Sequence, residues 1–517
     1  MFAMPQRHAS PPHRQAISVS LDRRAFVKTG VSGLGALWAT GHIPTRVVPW
    51  RKARPVRVRG RVAAAGRGVA GVAVSDGSSV VATGADGTYE LITDTRQAFV
   101  FCSVPSGYRI PTSQTGTAQH YVPLGTGSDE RQASFDLVPL TDNDEQHTFL
   151  LLADVQTQDG QEMGWFHQHS VPDIRQFVQE QGDREVFGIA CGDIMFDDLS
   201  LYPEFERGVR DLGVPFFQVV GNHDLDQDGG SDLASTATFC NRFGPRYYSF
   251  NRGAVHYVVL DDVLWHGAGY IGYVDDDQLA WLANDLRQIE SGRTVVVALH
   301  IPVLGSRHVR EGQRSPSNGI SVTNRDRLYR LLEPYRAHVL ASHTHESEHV
   351  FENGVHEHVV GAVCGAWWSG PICADGTPSG YGVYEINGED VTWRYKATGH
   401  PFDHQLRVYP AGIDPAAPDE IVANVWDWDP QWTVVWYEGG DRRGQMARRT
   451  GRDPLSVELH LGPELPPRRK WVDPYPTSHL FYAPAGRSGQ PVTVEATDRF
   501  GRVYQEELTQ SADRPSP

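Results

Sequence analysis

Five apolar runs in this 517-residue chain each end on residues able to bind a metal ion, and that recurrence constrains the fold more than any other feature. Leu150-Leu-Leu-Ala leads to Asp154 and Gln156, and Val186-Phe-Gly-Ile-Ala-Cys leads to Gly192-Asp193. Val214-Pro-Phe-Phe-Gln-Val-Val is followed by Gly221-Asn222-His223-Asp224. Thr294-Val-Val-Val-Ala-Leu delivers His300, and Ala337-His-Val-Leu-Ala-Ser342 delivers His343 and His345. Short apolar runs bounded by turn residues read as buried strands. Helical patterns fall between them, near Asp173, from Tyr202 to Leu212, from Asp275 to Glu290 and from Thr323 to Tyr335. The last of these starts like a capping box, with Asp326 three residues after Thr323. Alternating strands and helices with ligands on the following loops define a layered α/β fold.

The residue types fit one chemistry. Two divalent ions about 3.5–4 Å apart clamp a phosphate and generate a hydroxide nucleophile at neutral pH. That arrangement needs a bridging carboxylate together with carboxylate, amide and imidazole donors suited to Mn, Fe or Zn. A histidine standing alone, such as His256, His349 or His358 among the 22, reads instead as a core or surface residue. Asp197 and Asp198 read as supporting or helix-capping carboxylates.

The order of the blocks resembles the calcineurin-like metallophosphoesterase superfamily, whose motifs run D-x-H, G-D, G-N-H-[DE], H and G-H-x-H. The likeness spans roughly residues 145–396. Two positions depart from it: Gln156 stands where most members carry histidine, and Ser342 replaces the glycine before His343. The resemblance implies a four-layer α/β/β/α sandwich that hydrolyses phosphomonoesters or phosphodiesters. It implies that Asp154, Gln156, Asp193 and His345 hold one ion. Asp193 then bridges to a second ion, completed by Asn222, His300 and His343. It also implies that His223 faces the leaving group as general acid, and Asp224 beside it is expected to orient the ring. A glutamine ligates only through a neutral carbonyl oxygen, so the first site is expected to be looser and less zinc-like. The alternative is a binding module for a phosphorylated glycan or lipid head group. A general acid would be of no use to such a module.

Around this core the chain divides into four parts. Residues 1–45 contain Asp22-Arg23-Arg24-Ala25-Phe26-Val27-Lys28 before a short, Gly-rich apolar run, which looks like a twin-arginine export signal. That run is too short to span a membrane, so the expected location is periplasm, envelope or exterior. Residues 56–140 alternate around Asp-Gly turns and resemble a small regulatory-like β-sandwich. Residues 145–400 form the catalytic region. Residues 401–510 read as a C-terminal β-sandwich without catalytic residues, its strands including Leu455-Ser-Val-Glu-Leu-His-Leu. The Trp367-Trp368 and Asp375-Gly-Thr-Pro-Ser-Gly-Tyr381 passage, with the two β-rich ends, also resembles one bacterial branch of the superfamily, and the −16 net charge excludes an obvious nucleic-acid footprint. The expected partner is a small or envelope-derived phosphoester. Arg307, in a long loop after His300, and the pair Trp367-Trp368 are candidate substrate contacts. Of five cysteines, Cys364 and Cys373 are candidates to close a small loop in an oxidising compartment.

Overall fold

The computed structural model describes residues 53–125, 129–486 and 490–508; the segment expected to direct export lies outside the described residues. The ligand-bearing runs form two sheets. The first has the strand order Phe216–Val219, Glu185–Cys191, Gln146–Leu152, Gly380–Asn387, Asp390–Ala397. Its first three strands are parallel, and the last two join antiparallel. The second has the order Tyr248–Arg252, Val255–Val259, Thr294–Ala298, Arg336–Ala341, Val355–Val359, Glu348–Glu352, with four parallel strands inside two antiparallel edges.

Parallel strands covered on both faces need side chains that are apolar on both. Gln146–Leu152 is buried at every position after the first, and all of Thr294–Ala298 is buried. Phe149, Leu151, Phe187 and Phe217 face Phe250, Tyr257, Val295 and Val339 in one cluster between the sheets. The opposite face of the first sheet, through Leu150, Leu152 and Ala190, packs on Ile174 and Phe177 and on Phe205 and Val209. Those residues come from the helices Val171–Glu180 and Tyr202–Leu212. Helices Asp276–Leu286 and Arg325–Leu332 place Leu279, Leu282, Leu328 and Leu332 in the inter-sheet cluster's extension. The layers are therefore α/β/β/α.

Two smaller β-sandwiches flank this core. One is built on Pro55–Ala64 paired with Thr88–Asp94, whose burial alternates along the strand. Its segment at Thr117 bridges to Phe216 and so covers an exposed edge of the first sheet. The other pairs two four-stranded sheets between residues 407 and 508 around Val434, Phe481 and Val494.

Two local expectations are corrected, and the cysteine pair left open by the sequence is settled. Leu455–Leu461 is helical, because Asp453 accepts from Ser456 N and Pro454 occupies the first turn, so the cap outweighs the alternation. The helix expected at Thr323 starts at Arg325; the Thr323 hydroxyl is given to Gly272 O instead of capping. Cys364 and Cys373 are free, buried thiols and form no bridge.

Candidate metal centre

All five ligand loops leave the carboxyl ends of parallel strands, and three of them have an unusual backbone there. Asp154, Gln156, Asp193, His343 and His345 all have positive φ, from 42° to 70°. Side chains rarely occupy this region, at a cost of about 1–3 kcal/mol each, and such strain collects at functional sites. Gly192 (φ +82°) precedes Asp193, where a Cβ would lie 2.4 Å from His300 Nδ1. The loop must bring its backbone against that ring, so only glycine fits.

The histidines are held with one nitrogen turned inward. His300 Nδ1 lies 3.0 Å from Cys191 O and from Ser342 Oγ, which aims Nε2 at Asp193 Oδ1 (3.2 Å) and Asn222 Oδ1 (3.1 Å). Ser342, the departure from glycine, thus takes part in orienting this ring. His343 Nε2 bonds Gly319 O at 2.9 Å, leaving Nδ1 at 3.2 Å from His300 Nε2. His345 Nδ1 bonds Gly365 O at 2.6 Å; its Nε2, 3.6 Å from Asp154 Oδ1, is buried with no hydrogen-bond partner. Such outer bonds fix the tautomer and present the other nitrogen as a ligand.

The carboxylates are crowded. Burial, with the nearby Asp193 charge adding to it and His300 opposing, pushes Asp154 up to about 8. Asp193 is also buried, yet His300 and His223 hold it well below the usual carboxylate range. His300 rises to about 10 despite burial because Asp193 and Asp154 face it. Burial lowers His343 to about 3 and His345 to about 4, so both rings are neutral and have a lone pair to give.

These observations fit a divalent-metal site. Asp193, His300 and His343 each offer a ligand atom, and those atoms lie within 4.8 Å of one another. Asp154 and His345 stand beside them, and one inward imidazole nitrogen is unsatisfied. Gln156 is buried in the same place, but its Nε2 donates to Asp193 Oδ2 at 2.8 Å. A half-turn of the terminal amide would present its oxygen instead.

His223 occupies a different position. Its backbone N–H donates to Asp193 Oδ1, while its ring stacks on Phe196 and places Nδ1 2.8 Å from Asp197 Oδ1. Burial opposes protonation there, but the Asp193 charge and the Asp197 hydrogen bond outweigh it and raise the pKa. The expected role of Asp224 is therefore corrected. Asp224 is fully buried and accepts from the N–H groups of Ile194, Met195 and Gly221 and from Tyr202 Oη. It ties two ligand loops together, and Asp197 holds the ring. Asp198 caps the short helix Leu199–Leu201, as its position suggested.

The sequence reading missed two further elements. Asp262, just past Val255–Val259, accepts from the N–H groups of His300 and Ile301 and positions that loop. An acidic pair, Asp261-Asp262, at one more strand end was the available signal. The second element is the C-terminal segment around Arg468, which was read as non-catalytic. Arg468 pairs with Asp159 (2.7 Å) and Glu162 (2.8 Å), and Arg469 pairs with Glu162 and lies over Phe196. Trp471, 57% exposed, packs on Trp367, which stacks on His345 with centroids 4.0 Å apart. Trp368 turns inward and donates Nε1–H to Val155 O. Arg307 is not a free phosphate arm: it pairs with Glu311 and lies 3.5 Å over the Tyr475 ring.

Two facing sheets with this centre at the ends of their parallel strands define the metallophosphoesterase fold class. Family profiles agree along the chain: "Calcineurin-like phosphoesterase" matches residues 147–347, its N-terminal profile residues 56–140 and its C-terminal profile residues 357–504. The chain belongs to the calcineurin-like phosphoesterase family. It is 28% identical over 138 residues to the serine/threonine-protein phosphatase CPPED1 of Mus musculus. That alignment covers 24% of this chain and 43% of the mouse protein, so the match spans less than half of that relative's length. Among solved structures it is similar to the purple acid phosphatase PPD1 of yellow lupin (14% identity, 66% of this chain and 67% of that one, TM-score 0.33). It is also similar to Plasmodium GAP50, described as the anchor in the inner membrane complex (15% identity, 49% and 84%, TM-score 0.34).

Proposed function

We propose that this chain is an exported, metal-dependent phosphoric ester hydrolase acting on mono- or diesters of a small or envelope-derived molecule. The observation that carries the reading is the convergence of Asp193, His300 and His343 ligand atoms within 4.8 Å, next to a buried His345 Nε2 that has no other partner. Divalent ions held there supply Lewis acidity toward phosphoryl oxygens and lower the pKa of water. The chain's own residues supply the rest. Asp154, Gln156 and His345 would hold one ion and Asn222, His300 and His343 the other, with Asp193 contributing to both. Asp197 holds the Nδ1 side of His223, so the Nε2 side is available to protonate a departing oxygen. Trp367, Phe196 and the Arg469–Trp471 segment wall the approach.

A panel of phosphomonoesters and diesters, assayed with Mn, Fe or Zn added back, tests this reading. Turnover of at least one class is expected. A metal-replete chain that turns over none of them, yet retains a phosphorylated glycan, is the binding module instead.

The wall contributes affinity. Trp471→Ala is expected to raise KM by roughly two- to tenfold, the worth of an aromatic contact of about 0.5–1.5 kcal/mol. Metal content and kcat should stay unchanged. A fall in metal content would make the contact structural.

Export rests on Arg23 and Arg24. Replacing both by Lys is expected to hold the protein in the cytoplasm, measured by fractionation. Undiminished export of the Lys-Lys form would show that the segment is not a twin-arginine signal.

A further inference from the structure

Four histidines stand on one face of the second sheet, away from the ligand loops. His338 and His356 are cross-strand partners, as are His349 and His358. Glu357, between two of them, points to the opposite face and accepts from the N–H groups of Leu304 and Gly305. His338 Nδ1 lies 3.0 Å from His358 Nε2, and His349 Nδ1 lies 3.0 Å from His356 Nε2. His349 Nε2 is in turn 3.0 Å from Asp427 Oδ1. One ligand nitrogen each from His338, His356 and His358 falls within 4.8 Å of the other two.

Hydrogen bonding alone leaves this cluster incomplete. A neutral imidazole has one donor and one acceptor, and a buried polar atom without a partner is costly. His358 Nδ1 and Asp427 Oδ2 are both buried with no partner. The space between His349, His358, Asp427, Tyr384 and Trp393 admits about one water-sized sphere (≈ 10 Å³). Neutral imidazole is the form that binds metals. Zn–N bonds of about 2.0–2.1 Å in a tetrahedron put ligand nitrogens about 3.3 Å apart; His338 Nδ1 and His358 Nε2 are 3.0 Å apart, and a His356 nitrogen lies within 4.8 Å of both.

We propose that His338, His356 and His358 form a transition-metal site separate from the catalytic centre, taking a late first-row divalent ion such as zinc. Asp427 and His349 make the outer hydrogen-bonded relay that fixes the His356 tautomer. Because Asp427 follows the C-terminal strand Glu420–Asn424, the ion would tie that region to the second sheet.

Crystals of the full chain, loaded with zinc and then dialysed against zinc-free buffer, give a direct test by anomalous scattering at the zinc edge. A strong peak among the three imidazoles is expected. A blank there overturns the proposal, and so does a peak seen only in excess zinc and lost on dialysis, which marks an adventitious ion only. In solution, the double variant His356→Gln, His358→Gln should carry one zinc per chain fewer than the parent, with phosphoester hydrolysis unchanged. Equal zinc content would overturn the proposal. Should that variant fail to fold, the partly exposed His338→Gln gives the same comparison.

Discussion

His223→Ala is expected to slow hydrolysis of a substrate with a poor leaving group by roughly 10²–10⁴, the usual contribution of a positioned acid or base. Both ions should stay bound. The reasoning is geometric: the His223 ring stacks on Phe196 and pairs with Asp197, and neither residue belongs to the ligand set. The loss should shrink for a nitrophenyl ester, whose leaving group departs with little protonation. Rate and metal content measured in the same samples for both substrate kinds decide the matter. If the variant lost an ion, or slowed both substrates equally, the proton-donor role would be wrong and His223 would be structural.

Asp193→Asn should do the opposite and remove metal and activity together. Asp193 accepts from His223 N and Gln156 Nε2 and faces His300 Nε2, so this one carboxylate meets three of the other four ligand loops. Losing an outer-shell partner costs about 10–100-fold in metal affinity or activity, and losing the central ligand should exceed that. The variant keeps the side chain's shape, so its fold should survive. Its thermal stability should become insensitive to added Mn or Zn. The parent should gain about 2.7 kcal/mol at an ion concentration one hundred times Kd. Titration calorimetry together with melting curves reads both effects. A variant that still binds two ions would remove Asp193 from the bridging position.

The core of the fold was legible because a strand buried on both faces has to be continuously apolar, and Leu150 to Leu152 and Val295 to Val297 meet that requirement. The candidate ligand positions were legible because each follows such a run directly. What escaped depends on contacts between segments distant in sequence. Asp224 adjoins His223 along the chain, but its side chain turns into the protein to bond three backbone N–H groups. Asp197, 26 residues away, reaches the ring instead. Arg469 and Trp471 lie in a segment with no motif, and only folding brings them to Phe196 and Trp367. The Leu455 helix shows the local limit, where one capping aspartate before a proline overrode a strand-like alternation.

The strand order of the first sheet has a consequence for synthesis. Every member of the catalytic set has been made once His345 is added, yet Gln146–Leu152 then has a neighbour on one side only. Its other neighbour is Gly380–Asn387, made later. Until that segment emerges, the strand leading to Asp154 presents an open edge with the apolar run from Phe149 to Leu152, the kind that recruits other chains. Any ion held by Asp154 would therefore be captured late in the life of the nascent chain, and a fragment ending near residue 347 would hold all the candidate ligands on an unfinished sheet.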